Sequence, residues 1–225
     1  IIYSHGHQSI KIANTSQAEE MASNGYIVVA MDHSYDAALT ILDEDKIIYS
    51  RSKLPASDEE ALQDSMILRV KSQLKIRTED VSFVIDELKI IFEKDKRFSQ
   101  VADFDNIGIF GHSFGGCTSI MSAYNDTRID AVIGLDAYFL PLPKEIIKKD
   151  LNTPFVHLGQ LSWGDSDNYE VMSELGKSSN REFYHFAIEG SKHNDYTDFS
   201  QFTKLTRKFG SGKISPKSIR YIMND

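Results

Sequence analysis

Cysteine is nearly absent from this sequence, since Cys117 is the only one among 225 residues. A single cysteine excludes an intrachain disulfide framework, so cysteine usage does not separate a cytoplasmic protein from a secreted one. Long apolar runs are missing as well, because no run reaches the roughly 18 residues that a membrane span needs. We therefore expect a soluble protein without a membrane span, whose contact with a lipid surface would be transient.

Positive charge is also in short supply. The chain has 25 Lys and Arg against 33 Asp and Glu, for a net charge of -8 at pH 7. Nucleic-acid binding relies on clustered Lys and Arg, so this balance argues against a nucleic-acid partner. Apolar residues make up 41% and charged residues 26%, as in an ordinary folded domain. No shift in composition marks a boundary, and we expect one domain over residues 1–225.

Both ends of the sequence lack the expected signals. The chain starts on a strand-like segment rather than on methionine, so a leader would lie upstream of Ile1. Ser215-Pro216 predicts the start of a helix, which reaches Asp225 without a stop signal. We expect the natural protein to be longer at both ends.

Short apolar runs alternate with helical segments along the chain. This pattern predicts an α/β fold with a mostly parallel sheet covered by helices on both faces. The predicted strands are residues 1–3, 26–31, 107–110, 131–135, 155–158 and 183–188.

Capping signals place the helices between these strands. A short crossover helix is predicted to start at the capping box of residues 16–19 and to end at Asn24-Gly25. A second capping box, at residues 57–60, predicts the start of a longer helical stretch. Thr78 leaves open whether that stretch is one helix or two. Residues 34–56 lack periodicity, and we expect a loop there near the rim of the sheet.

The strongest chemical signal is a glycine-flanked serine between a predicted strand and a predicted helix. Strand, turn and helix together are the context of the nucleophile elbow of an α/β-hydrolase, so we expect the α/β fold to be of this type. The glycines of such an elbow have no Cβ to collide across the strained turn. The turn predicts Ser113 as a nucleophile, with the Phe114 N–H group at the helix start favouring an oxyanion. Its sequence is Gly111-His112-Ser113-Phe114-Gly115.

A serine nucleophile needs a histidine base, and on this fold the order along the chain is serine, acid, histidine. Three histidines follow the serine at sufficient distance. His157 and His185 lie inside apolar strand runs, where a core or sheet-face histidine is the commoner case. His193 falls in a loop after the last predicted strand, and we predict that it is the base.

The acid has two candidate positions. Asp136 directly follows a predicted strand, whereas Asp165 and Asp167 follow the next strand within a polar segment that also reads as a plain turn. Position at the strand end favours Asp136, and both placements are physically reasonable.

The loop after the first predicted strand should supply the second oxyanion donor. The His7 N–H group is the candidate there, with Gly6 permitting close approach and His5 supporting the loop.

Candidates for an acyl pocket lie just beyond Asp136: Tyr138, Phe139 and Leu140. For these residues, as for Trp163, the alternative is ordinary packing under a loop. No metal or cofactor is needed for this chemistry.

Several segments together resemble the platelet-activating-factor acetylhydrolase family, in its intracellular type II, plasma and bacterial forms. The resemblance implies Ser113, Asp136 and His193 as nucleophile, acid and base, with the oxyanion donors at Phe114 and His7. The segments are Tyr3-Ser4-His5-Gly6, residues 25–30 leading into Asp32-His33, residues 111–116, Leu135-Asp136-Ala137 with Pro141-Leu142, and residues 190–199.

The resemblance also implies a substrate class: small-molecule or lipid esters with short acyl groups, such as the acetyl group at the second glycerol position of an ether phospholipid. His7 stands where the mammalian enzymes carry an apolar residue, and residues 34–80 are only loosely similar, which leaves substrate preference open. The alternatives are a general carboxylesterase, lipase-like enzyme, polyester hydrolase or dienelactone-hydrolase-like enzyme, an acyltransferase or peptidase, and a silent α/β-hydrolase binding module.

Overall fold

A six-stranded parallel sheet forms the centre of the molecule, with strand order β2-β1-β5-β6-β7-β8. The computed structural model describes residues 1–43, 46–52, 64–208 and 210–225, without the side chains of residues 64–67. All six predicted strands are confirmed. They are β1 (Ile2–Ser4), β2 (Val29–Met31), β5 (Ile107–His112), β6 (Ile129–Leu135), β7 (Phe155–Gln160) and β8 (Phe183–Ile188).

Apolar side chains alternate between the two faces of the sheet, because successive residues of a strand point to opposite sides. Strand register aligns Ile2, Ile109, Val132 and Phe155 across the sheet, and all four belong to one buried cluster. The next row begins with Tyr3 and Phe110, which belong to a second cluster. Each face therefore has its own core.

Helices cover both cores, as the sequence predicts for an α/β fold. One core takes apolar residues from α2, α3 and α5, and the other takes them from α1 and α7. The helices are α1 (Thr15–Ser23), α2 (Asp64–Lys94), α3 (Phe114–Asn125), α4 (Lys144–Ile147), α5 (Asp167–Ser178), α6 (Phe199–Phe202) and α7 (Pro216–Asn224). No helix in the described ranges is long and apolar enough to cross a bilayer.

The loop expected over residues 34–56 is a wrong prediction where a hairpin forms, and residues 53–56 lie outside the described residues. Residues 39–49 contain an antiparallel pair, β3 (Leu39–Asp43) and β4 (Lys46–Tyr49), that is separate from the main sheet. Leu39, Ile41 and Tyr49 are exposed, and Thr40 is buried instead. The strands therefore lack the apolar-inward alternation by which a strand is recognised in a sequence.

Helix boundaries match the capping signals in part. Helix α1 starts two residues before the predicted point, with Asn14 as its N-cap, and Ser16 lies within it. Gly25 has the expected left-handed backbone, with φ 92°. Thr78 does not interrupt α2, which is one continuous helix, and its hydroxyl donates to the Leu74 carbonyl one turn earlier. Residues 57–60 lie outside the described residues.

The last helix begins as its sequence indicates. Ser215 caps α7 by accepting a hydrogen bond from the Ser218 N–H group at 3.0 Å, and Pro216 is its first residue.

Candidate active site

Ser113 occupies a strained position at the end of β5, where the strand turns into α3. Its backbone has φ 55° and ψ -120°, outside the regions that L-residues usually adopt. Such strain persists only where the surroundings enforce it. A Cβ on Gly111 would lie within 2.8 Å of the Gly116 nitrogen and even closer to Gly115, and one on Gly115 would collide with the loop after β1. The turn therefore needs its glycines.

Helix α3 presents free backbone donors beside Ser113. The helix begins at Phe114, and the N–H groups of a first turn have no carbonyl acceptor within the helix. Those of Gly116 and Cys117 donate to the Ser113 carbonyl, which leaves the Phe114 and Gly115 N–H groups as the donors beside the serine. The loop after β1 approaches from the other side, since a Cβ on Gly6 would lie 3.4 Å from Ser113 Cβ. The two segments predicted to supply oxyanion donors, at Phe114 and His7, thus meet at the serine.

Buried side chains hold the loop after β1 in place. His5 donates through Nδ1 to the Gly6 carbonyl at 2.6 Å and accepts the His33 N–H group on Nε2 at 3.1 Å. Burial, with a contribution from Arg77, lowers the pKa of His5 to about 3, so its ring is neutral. His7 Nδ1 lies 2.9 Å from Asp36 Oδ1. His5 has the supporting role expected from the sequence.

His193 and Asp136 are in direct contact. His193 Nδ1 lies 2.6 Å from Asp136 Oδ2, the carboxylate is fully buried, and the histidine side chain is 34% exposed. His193 begins a short 3₁₀ turn, His193–Tyr196, after β8. A carboxylate on Nδ1 leaves Nε2 of the same ring available as the basic nitrogen.

Asp136 is fixed at the end of β6 by its own strained backbone, with φ 43°, and by hydrogen bonds to both oxygens. Gln160 donates its backbone N–H group to Oδ1 at 2.9 Å and its side-chain amide to Oδ2 at 2.7 Å. Backbone bonds on either side of Asp136 join this turn to the elbow, from Ser113 N to the Leu135 carbonyl and from Tyr138 N to the Ser113 carbonyl, both 3.0 Å.

Two aromatic rings contact the His193 ring. His112 lies 4.5 Å away between centroids, and Trp163 lies 5.3 Å away with the planes 28° apart. His112 Nε2 also donates to the His193 carbonyl at 3.0 Å. Burial, aided by the neighbouring His193, holds the pKa of His112 well below its usual value. His112 thus ties the elbow to the loop that carries His193.

The family model for platelet-activating factor acetylhydrolase, isoform II, matches residues 1–224. The chain belongs to this family.

Similar proteins in the family include vertebrate and fungal relatives. The platelet-activating factor acetylhydrolase of Gallus gallus is 25% identical over all of this chain and 59% of its own length. The probable 1-alkyl-2-acetylglycerophosphocholine esterase of Arthroderma benhamiae is 24% identical over 88% of this chain and 48% of its own length. This family member therefore spans about half the length of the curated relatives it matches.

Solved structures show that the fold is that of an α/β-hydrolase. A ferulic acid esterase from Streptomyces cinnamoneus superposes with a TM-score of 0.77 at 23% identity, covering 99% of this chain and 63% of that one. A dienelactone hydrolase-like promiscuous phosphotriesterase from metagenomic libraries has a TM-score of 0.61 at 10% identity, covering 99% and 82%.

The candidate pocket residues of this family member divide into two groups. Leu140 is 37% exposed and Tyr138 is half-buried beside the elbow. Phe139 is fully buried and packs against Phe155 and His157 in the core, so the prediction that it lines the acyl pocket is wrong. Its N–H group donates to Asn168 Oδ1 at 2.6 Å, which joins this segment to α5.

The other candidate bases and acids lie apart from the His193–Asp136 pair. His157 is buried and accepts the Ala137 N–H group on Nε2 at 3.0 Å, while its Nδ1 lies 3.0 Å from His185 Nδ1. Asp165 and Asp167 are exposed, beyond the 3₁₀ turn Leu161–Trp163. Within the described ranges, no group of three His, Cys, Asp or Glu side chains is placed to hold a metal ion.

Sequence reasoning missed Gln160 and the ring contacts to His193. Gln160 ends β7, at the same sheet edge as Asp136, and this position was the signal that could have identified it. Trp163 and His112 carried no such signal, because their contacts with His193 join segments far apart in the chain.

Proposed function

We propose that this chain is the catalytic domain of a serine carboxylic ester hydrolase, with Ser113 as nucleophile, His193 as base and Asp136 as acid. The observation that carries the proposal is the 2.6 Å contact between Asp136 and His193 beside a strained, glycine-enclosed serine. The family match and the names of the relatives support the same activity.

Acylation follows from the assigned roles. His193 Nε2 takes the Ser113 Oγ proton as Oγ attacks the ester carbonyl carbon, and Asp136 holds the imidazolium that forms. The carbonyl oxygen becomes an oxyanion, which the N–H groups of Phe114 and His7 stabilise. Collapse of the tetrahedral intermediate expels the alcohol, which takes the proton from His193.

Deacylation uses the same groups with water as the nucleophile. His193 takes a proton from water as its oxygen attacks the acyl-enzyme carbonyl, and the free acid and the Ser113 hydroxyl are then released. Each donor to the oxyanion is worth about 3 kcal/mol in comparable sites, so the position of the loop carrying His7 matters for the rate.

The substrate class we propose is an ester of a short acyl group, as in the second glycerol position of an ether phospholipid. The family match and the names of the relatives support this choice. Tyr138, whose N–H group donates to the Ser113 carbonyl, and the exposed Leu140 are our candidates to contact the acyl group. A general carboxylesterase is the alternative.

Replacement of the nucleophile tests the reaction class. Ser113→Ala should abolish both the burst and steady turnover of p-nitrophenyl acetate, along with covalent labelling by a fluorophosphonate probe. Ser122→Ala is the matched control, since Ser122 is buried within α3 and its hydroxyl has no hydrogen-bond partner among the described residues. Full turnover by Ser113→Ala would overturn the proposal, and an unreactive wild-type chain would indicate a silent scaffold.

An ester panel tests the substrate class. Glycerophosphocholine esters with acetyl, butanoyl, octanoyl and palmitoyl groups should show kcat/KM falling steeply with acyl length. Equal rates across the series, or a preference for simple aryl esters such as feruloyl esters, would favour the general esterase. An added alcohol or amine acceptor should leave free acid as the main product, whereas dominant acyl transfer would identify a transferase.

A further inference from the structure

Arg77 is a fully buried cation in the middle of α2, with a side chain 1% exposed. Burying a guanidinium group is costly unless its charge is paired and its N–H groups find acceptors. Its partners here come from three separate segments of the chain: the loop after β1, the segment after β2, and the first residue of α3. Two of these segments, the loop after β1 and the start of α3, adjoin Ser113.

The first contact is with the loop that leads to His7. Arg77 Nη2 donates to the His5 carbonyl and also to Ser4 Oγ at 3.3 Å. Ser4 Oγ in turn lies 3.0 Å from His33 Nε2, and His33 Nδ1 lies 2.8 Å from Asp80 Oδ2. Burial and the charge of Arg77 hold the pKa of His33 well below its usual value, so the chain of hydrogen bonds runs through a neutral ring.

The second contact reaches His7 through Asp36. Arg77 Nη1 lies 3.2 Å from Asp36 Oδ2, and Asp36 Oδ1 lies 2.9 Å from His7 Nδ1. Burial by itself would raise the pKa of Asp36, but the contact from His7 and the charge of Arg77 outweigh it and keep the carboxylate ionised. The backbone of residue 7 is therefore held from its side chain as well as through residue 5.

The third contact is with the other oxyanion donor. The Arg77 guanidinium carbon lies 4.8 Å from the centre of the Phe114 ring, within the range of a cation–π interaction. The same ring lies 6.4 Å from the His7 ring. One side chain thus contacts Phe114 directly and His7 through both Asp36 and the His5 carbonyl.

We infer that Arg77 is a positioning residue that sets the spacing of the two oxyanion donors. The inference rests on the proposed function. A planar guanidinium can donate to a carbonyl, pair with a carboxylate by charge and lie over a ring face in one geometry, which the single ammonium of lysine cannot reproduce. Arg77 does not touch the substrate, and its effect passes through the backbone of Phe114 and His7.

The test compares an ester with its thionoester. Sulfur is a weaker hydrogen-bond acceptor than oxygen and is larger, so a well-spaced pair of donors favours the oxygen ester strongly. Arg77→Met should lower kcat for the ester, measured per titrated active site, by roughly 10- to 100-fold, and should change KM by less than about threefold. The reason is that displaced oxyanion donors weaken stabilisation of the transition state more than binding of the substrate. The ratio of ester to thionoester rates should fall with it.

Ile85→Ala is the matched control, because Ile85 is buried on the same helix away from the loop. It should lower stability while leaving kcat per titrated site and the thionoester ratio near the wild-type values. Arg77→Lys and Asp36→Asn should lower the ratio of ester to thionoester rates by an intermediate amount. These two variants replace Arg77→Met in the test if that variant does not fold.

The outcomes separate the two claims. If wild-type protein has no Ser113-dependent ester turnover, the proposed function fails. If wild-type protein is active and the Arg77 and Asp36 variants that fold keep the wild-type kcat per site, or lose ester and thionoester rates equally, the positioning role of Arg77 is overturned while the proposed function stands.

Discussion

The indole ring of Trp163 stacks on the imidazole ring of His193, with centroids 5.3 Å apart and planes 28° apart. Trp163 ends the 3₁₀ turn after β7, so this contact joins the loops after two neighbouring strands. A stacked ring restricts how far an imidazole can rotate about its contact with the carboxylate.

Loss of the indole ring should therefore slow the reaction. We expect Trp163→Ala to lower kcat for p-nitrophenyl acetate by roughly 3- to 10-fold, in line with the approximately 1 kcal/mol that aromatic pairs contribute. Trp163→Phe keeps a ring in place and should recover most of the rate. Steady-state kinetics on both variants checks this, and equal rates for the alanine and phenylalanine variants would contradict it.

Gln160 should affect stability and activity through its hydrogen bonds to Asp136, the proposed acid of the triad. Gln160→Ala removes the 2.7 Å amide bond to Asp136 Oδ2 and leaves the backbone donor to Oδ1. A hydrogen bond to a charged group contributes about 1.5–3 kcal/mol, so we expect the free energy of unfolding to fall by about 2 kcal/mol and kcat to fall about tenfold.

Ser162→Ala serves as the control for this change. Ser162 donates to Gln160 Oε1 at 2.5 Å and does not reach the carboxylate, so its loss should be milder in both measurements. Urea unfolding and kcat, measured on the same preparations, give the comparison. The assigned role of Gln160 is wrong if Ser162→Ala is as damaging as Gln160→Ala.

Gly115, at the start of α3, should be required for stability. In a helix, Gly→Ala ordinarily stabilises by nearly 1 kcal/mol. At Gly115 the added methyl group would collide with the Ser4 carbonyl and lie 2.7 Å from that of His5, so we expect a loss of more than about 2 kcal/mol instead. Gly108→Ala, where the nearest atom is 3.7 Å away, should be nearly neutral. Urea unfolding of the two variants distinguishes them.

Stability should fall on mild acidification because of buried neutral histidines. Burial lowers the pKa of His5 to about 3 and holds the pKa values of His33, His112 and His157 well below the usual 6.5. Below pH 6.5 the unfolded chain takes up protons that the folded chain does not, so the stabilisation present above that pH is lost as the pH falls. Each such group contributes a loss of about 1 kcal/mol by pH 5.5.

Urea unfolding at pH 7.5, 6.5 and 5.5 measures this loss. His157→Gln should make the dependence shallower by about one proton, because glutamine can still accept the Ala137 N–H group but does not titrate in this range. An unfolding free energy that stays constant from pH 7.5 to 5.5 would contradict the prediction.

The local sequence pattern was sufficient to predict those elements whose residues follow one clear pattern. The six strands are confirmed, since each is an apolar run between turn signals, and Ser113 is where strand, glycines and helix start coincide. The hairpin of β3 and β4 was missed because its exposed apolar residues do not follow core alternation. Phe139 was misassigned because an apolar residue after a strand can turn to the pocket or to the core, and only its packing against Phe155 and His157 shows which.

By itself, the sequence determined the positions of the six strands along the chain, the elbow, and the short set of histidines and aspartates from which a triad could be chosen. These features depend on residues within a few positions of one another, where spacing alone carries the information. Only the tertiary structure decided that Asp136 and His193, 57 positions apart, are in contact, and that Arg77 reaches Ser4 across 73 positions. Such contacts depend on how the strands align and on which helix face turns inward, and both are set by packing of the whole core.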